Sequence, residues 1–97
     1  MPVETRPFDA ARYLDSDESI AAFMDEAFQT GDAAFITHCL GAVARARGMT
    51  EIARDAGLSR ESLYRALGEK GNPEFGTVLK VMRALGLRLA TQTAAPA

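Results

Sequence analysis

Ser59, Arg60, Glu61, Ser62, Tyr64 and Arg65 bring two hydroxyls, two guanidinium forks, a carboxylate and a phenol into one short stretch of the chain. Such a set is suited to recognition rather than to bond breaking. Arg60 and Arg65 can pair with a phosphate or with the O6/N7 edge of guanine, and Glu61 can accept from a cytosine amino group. Tyr64 can donate to a phosphate or pack on a sugar. Ser59 and Ser62 stand at what reads as a helix start, where free backbone N–H groups and the helix dipole favour phosphate. Thr50, Lys70 and Asn72 flank the set as contacts to the nucleic-acid backbone.

These side chains need two helices to present them. Thr50 reads as the cap of the first, with Ile52, Ala53 and Ala56 facing inward. Gly57 stops it by taking a left-handed conformation that a Cβ would disfavour. Leu58 plugs the angle, Ser59 caps the second helix, and Leu63 and Leu67 form its inner face. Ala53 and Ala56 are small where the two helices cross closely. This is the layout of a helix-turn-helix, which places a helix N-terminus in the DNA major groove.

The remaining chain supplies a support for that pair. Asp15-Ser16-Asp17-Glu18 is an acid-rich helix start, and Ile20, Phe23, Met24, Ala27 and Phe28 follow as one apolar stripe. Thr30-Gly31-Asp32 ends this helix and caps the next, whose stripe is Phe35, Ile36, Cys39, Leu40 and Val43. Arg45 and Arg47 occupy its last turn before Gly48. Gly68 and Gly71 bracket a loop. A last helix begins at Pro73 or at Thr77, with Phe75, Val78, Leu79, Met82 and Leu85 inward, and Gly86 closes it.

Leu87-Arg88-Leu89 alternates as a very short strand and could pair with the extended arm at residues 3–9, which contains Pro7. The expected fold is an all-α bundle of five helices, with room for a short strand pair from the two termini. It forms one domain over 1–97: an arm (1–14), an acidic helical part (15–47), a DNA-binding core (49–86), and a short strand with a frayed tail (87–97).

With 97 residues the chain can bury one small core, and 47 % hydrophobic with 25 % charged residues is ordinary for a globular protein. The net charge of −2 argues against a nucleic-acid partner until its distribution is considered. Residues 1–40 carry eight acids against two arginines, a balance of −6, whereas residues 41–97 carry nine bases against five acids, a balance of +4. The basic part suits a phosphate backbone, and the acidic part suits solvent or a basic protein. No apolar run reaches the ~18–20 residues of a membrane span. Glu4 and Asp9 stand where a secretory signal would be apolar, so a cytoplasmic location is expected.

No catalytic, metal or cofactor site is expected. His38 and Cys39 are adjacent on a helix and lack further ligands, which reads as a core cysteine beside a surface histidine. With Cys39 as the one cysteine, no intrachain disulfide or cysteine-based zinc finger can form. Asp15, Asp17 and Glu18 lack the glycine and terminal glutamate of a calcium loop. Gly68-Glu69-Lys70-Gly71 is too short for a P-loop and lacks the hydroxyl residue after lysine. No serine or cysteine has a base and orienting partner suggested by the sequence.

The stretch Gly57-Leu58-Ser59-Arg60-Glu61-Ser62-Leu63-Tyr64-Arg65-Ala66-Leu67, then Gly71-Asn72-Pro73 and Val78-Leu79-Lys80-Val81-Met82-Arg83-Ala84-Leu85-Gly86-Leu87, resembles the addiction-module antidote proteins. These are HigA-like antitoxins with a xenobiotic-response-element type of helix-turn-helix and a lambda-repressor-like fold. Thr5-Arg6-Pro7-Phe8-Asp9 and Tyr13-Leu14 resemble them too, so nearly the whole chain is covered. The resemblance implies a type II antitoxin that neutralises a small basic ribonuclease toxin of the RelE/HigB-like class and represses the shared operon. The family's recognition helix falls on Ser59–Leu67.

Gly76 departs from the pattern, since a better helix-capping residue is expected there. Without a long disordered tail, contact with the toxin is expected through the folded surface. A two-fold dimer with one recognition helix per half-site is expected, joined through the last helix with Leu87 and Leu89 or through the arm. The alternative is a stand-alone helix-turn-helix repressor without a toxin partner.

Overall fold

The computed structural model of the chain describes residues 14–94. Among them run five α-helices: α1 (Asp17–Gln29), α2 (Ala33–Arg47), α3 (Met49–Ala56), α4 (Arg60–Ala66) and α5 (Phe75–Ala84). The expected all-α bundle is the fold observed.

Local chemistry starts and stops each helix. Ser16 caps α1 in a capping box: its hydroxyl accepts from the Ser19 N–H at 3.1 Å, and the Ser19 hydroxyl accepts from the Ser16 N–H at 3.3 Å. Asp17 and Glu18 in the first turn oppose the positive end of the helix dipole. Asp32 caps α2 by accepting from the Phe35 N–H at 3.1 Å. Gly48, at φ 110°, is at once the last cap of α2 and the first of α3. Thr50 is therefore not a cap but the second residue of α3, whose start has no side-chain cap bond.

α1 and α2 form an antiparallel hairpin. Arg47 at the end of α2 reaches Asp17 at the start of α1, N to O 2.6 Å. α3 packs against α2, α4 and α5. The shared core is sealed by Ile20, Met24, Leu40, Val43, Leu63 and Val81 from α1, α2, α4 and α5, and Ile52 and Ala53 of α3 join it, so no helix pair stands apart from the rest.

Three expected core residues lie elsewhere. Phe75 is 67 % exposed, Phe35 46 % and Leu79 40 %. On α5 the buried stripe is Val81, Met82 and Leu85 with half-buried Val78 before them, and this i, i+3, i+4, i+7 row turns Phe75 and Leu79 sideways. On α2, Cys39, Leu40, Val43 and Ala44 take the inner face, which leaves Phe35 on the flank of the first turn. α5 starts at Phe75 with Glu74 as an N-cap that makes no side-chain bond, between the two starts expected at Pro73 and Thr77. Gly76 lies just inside it.

The expected strand at Leu87-Arg88-Leu89 does not form: residues 87–90 pair with no strand among the described residues. The arm at 3–9, its expected partner, lies outside the described residues. Leu87 and Leu89 instead pack singly against the core, which satisfies their hydrophobicity without a ladder. No described helix is long and apolar enough to cross a membrane.

Candidate nucleic-acid interface

α3 and α4 are joined by Gly57, Leu58 and Ser59 alone. Gly57 takes the left-handed conformation, φ 74° and ψ 29°. Its N–H donates to the Arg54 carbonyl at 3.1 Å, and the Leu58 N–H donates to the Ala53 carbonyl at 2.8 Å. This is a Schellman ending, in which the glycine costs no Cβ clash and the following leucine is turned onto the core. Ala53 and Ala56 are buried, at 3 % and 8 % exposure, where the helices meet. The same ending recurs at Gly86-Leu87, where the Leu87 N–H donates to the Met82 carbonyl at 2.8 Å.

Ser59 is the cap of α4. Its hydroxyl accepts from the Ser62 N–H at 3.0 Å and donates to the Ser62 hydroxyl at 2.8 Å. Both serines are thus occupied with holding the helix start. Arg60 lies across the Tyr64 ring, its guanidinium carbon 5.0 Å from the ring centroid and its terminal nitrogen 3.4 Å from the phenol oxygen. The i, i+4 spacing brings the two together on one exposed face. The pair presents a flat cation with an aromatic backing, a surface that suits a phosphate or a base edge.

Glu61 and Arg65 are exposed on the same helix, and Lys70 and Asn72 are exposed in the loop beyond it. Thr50 is exposed on α3, one turn before exposed Arg54. Eight of the nine expected contact residues therefore lie open to solvent, and half-buried Ser62 is the exception.

Two glycines fix where α4 sits. A Cβ at Gly41 on α2 would lie 3.0 Å from the Leu67 carbonyl, so the glycine lets the end of α4 touch α2. A Cβ at Gly71 would lie 2.1 Å from the Ala66 carbonyl, so the loop can return beneath α4 only through a glycine. Gly41 could be suspected from its place within an otherwise side-chain-bearing helix. Arg54 adds a further exposed cation on α3. It contacts its neighbour Asp55 at 3.5 Å and is otherwise open on the face it shares with Thr50.

The remaining chemistry is sparse. Burial pushes the Cys39 thiol above its ordinary value, and His38 beside it is exposed. No group of three or more metal-ligating side chains occurs among the described residues. What the surface offers is positioned polar and cationic groups on two short helices joined by a tight turn.

The chain is 48 % identical over 92 residues to a protein of Haemophilus influenzae (strain ATCC 51907 / DSM 11121 / KW20 / Rd) described as an uncharacterized protein, and the match covers 95 % of each chain. No solved structure matches the chain significantly. A family model described as "Probable addiction module antidote protein" matches residues 4–93. With nearly the full length covered by that model, the chain belongs to the addiction-module antidote family.

Proposed function

We propose that the chain is a DNA-binding type II antitoxin. It neutralises a small basic ribonuclease toxin of the RelE/HigB-like class, and as a homodimer in the cytoplasm it represses the operon that encodes both. The observation that carries the DNA half is the exposed face of α4, with Arg60 stacked on Tyr64 and Arg65 beside them on a helix seated by Ser59, Gly41 and Gly71. Membership in an antidote family supports the toxin half. The reading requires no catalysis, metal or cofactor: binding alone blocks the toxin and occupies the operator.

In this reading Arg60 and Arg65 contact phosphate or guanine, and Glu61 and Tyr64 adjust the fit. Thr50, Lys70 and Asn72 hold the backbone at the flanks. Ser59 and Ser62 act through the helix start. Two half-sites about one DNA turn (~34 Å) apart would receive the two recognition helices.

The test is gel retardation and footprinting on the DNA upstream of the chain's own gene. Wild-type protein is expected to protect a two-fold site, with an affinity that falls steeply as salt rises. Arg60→Ala with Arg65→Ala is expected to weaken binding about 10- to 100-fold, a cost of roughly 1–3 kcal/mol, with an unchanged helical circular dichroism spectrum. Unchanged affinity in the double variant refutes the assignment.

A further inference from the structure

α1 is acidic beyond what its own fold can use. It carries four acids and no base from Asp17 to Gln29. Asp17 and Glu18 suit the helix start, but Asp25 and Glu26 stand near its end, against the negative pole of the dipole. Neither has a cationic partner among the described residues, and neither does Glu18; Asp25 accepts only from the Gln29 amide at 2.9 Å. Between the two acid pairs, Ala21 and Ala22 leave the outer face flat and exposed.

Beside that face lies a groove of about 460 Å³ between α1 and residues 87–92. Met24, Phe28, Met82, Leu87 and Leu89 give it apolar walls, Asp25 stands at its α1 edge, and Arg88 lies on the opposite side. Across the groove the backbone from 88 to 92 makes no hydrogen bond to any described residue. The excess charge lies on the α1 side, where Glu18, Asp25 and Glu26 have no cationic partner among the described residues. An apolar slot beside an acidic helix face fits a partner that supplies both an apolar side chain and cations.

We infer that this face and groove are the docking surface for the toxin, which presents a basic amphipathic segment to it. The inference rests on the antitoxin reading above. A second copy of the chain is a poor occupant, because a two-fold contact would bring the same carboxylates face to face. The chain's own first 13 residues hold two acids and two arginines and bring no net positive charge. DNA is repelled. A basic protein segment satisfies the slot and the rim together. Glu18 and Asp25 are seven residues apart, about 11 Å along the helix axis, so cations two helical turns apart on the partner would reach both.

The experiment uses the full chain and the protein encoded by the adjacent reading frame, co-purified and then titrated against each other. Two variants carry the test: Asp25→Lys with Glu26→Lys, which reverses the rim, and Ala22→Trp, which fills the flat face. All three positions are exposed, so both variants are expected to keep the fold, checked by circular dichroism. Each is expected to weaken the complex at least tenfold while operator retardation and melting temperature hold at or above the wild-type level.

Undiminished affinity in both variants overturns the surface and leaves the antitoxin reading standing. A wild-type chain that fails to bind that protein overturns the antitoxin reading and the surface with it. A change in self-association in Ala22→Trp, read by sedimentation with the toxin complex intact, assigns the groove to a second copy and overturns the proposal. A fall in melting temperature with the complex intact assigns it to the chain's own first residues and does the same.

Discussion

The α1–α2 hairpin and the α3–α4 pair are built from similar amounts of apolar core but stabilised in different ways. The hairpin is long, with 13 and 15 residues, and its stripes add buried surface to the caps at Ser16 and Asp32 and the Arg47–Asp17 ion pair. α3 and α4 have eight and seven residues, too short to be stable alone. They depend more on point devices: the left-handed Gly57, the Ser59 cap, and the two glycines that let α4 approach α2 and the following loop. The hairpin's outer face is free to carry charge for a partner, because its stability does not depend on that face. The short pair spends much of its sequence on holding α4 still, and that stillness is what a recognition helix requires.

The contrast can be broken most severely from beneath. Leu63 is fully buried on α4, and Leu63→Ala is expected to cost about 2–5 kcal/mol. In a domain stabilised by only about 5–15 kcal/mol, this lowers the midpoint of urea unfolding markedly. If the two regions form one cooperative unit, helical signal from α1–α2 is lost in the same transition. A separate later transition would show that the hairpin folds by itself.

A smaller effect sharpens the contrast. Ser59→Ala removes the cap of α4 and is expected to cost about 1 kcal/mol, with operator binding weakened further than the melting temperature alone explains. On the hairpin the expected sign is opposite. Asp25→Lys with Glu26→Lys brings positive charge to the end of α1 and is expected to raise stability by about 0.3–1 kcal/mol per site, read as a higher melting temperature at low salt that fades as salt is added.

The smallest effect concerns Cys39. Its thiol is raised by burial, so the folded state keeps the proton after the unfolded chain begins to lose it. The stabilising contribution is full below the unfolded thiol's value, about 8.5, and declines as pH rises from there toward the folded value. Native protein is expected to react slowly with a thiol reagent at pH 8 and quickly once unfolded; fast reaction in the native state would place Cys39 at the surface.

The ends of the helices were legible because caps are local chemistry: Ser16, Asp32, Gly57, Ser59 and Gly86 act on atoms within a few residues of themselves. The direction in which a helix turns its stripe is not local. Phe75 and Leu79 fit an inward row as well as Val78, Val81 and Met82 do, and only the packing of α5 on α3 decides between them. Thr50 resembled a cap for the same reason, until Gly48 ended one helix and began the next. Of the candidate site, the chemical groups and their exposure were readable in the sequence. The Arg60–Tyr64 stack follows from spacing once α4 is a helix, whereas the seating of α4 depends on carbonyls that approach Gly41 and Gly71 from elsewhere in the fold; a glycine inside α2 hints at a close approach but does not say what approaches it.

Gly48 separates α2 from α3 as a single residue. There is consequently no linker at which the chain could be divided between the acidic hairpin and the helix pair that carries the α4 surface. A protease cutting there would open both helices at once, and an inserted residue would change the angle between them. The two surfaces can be altered independently by substitution, but they cannot be exchanged as modules: any recombination that carries one into another protein must carry the joint as well.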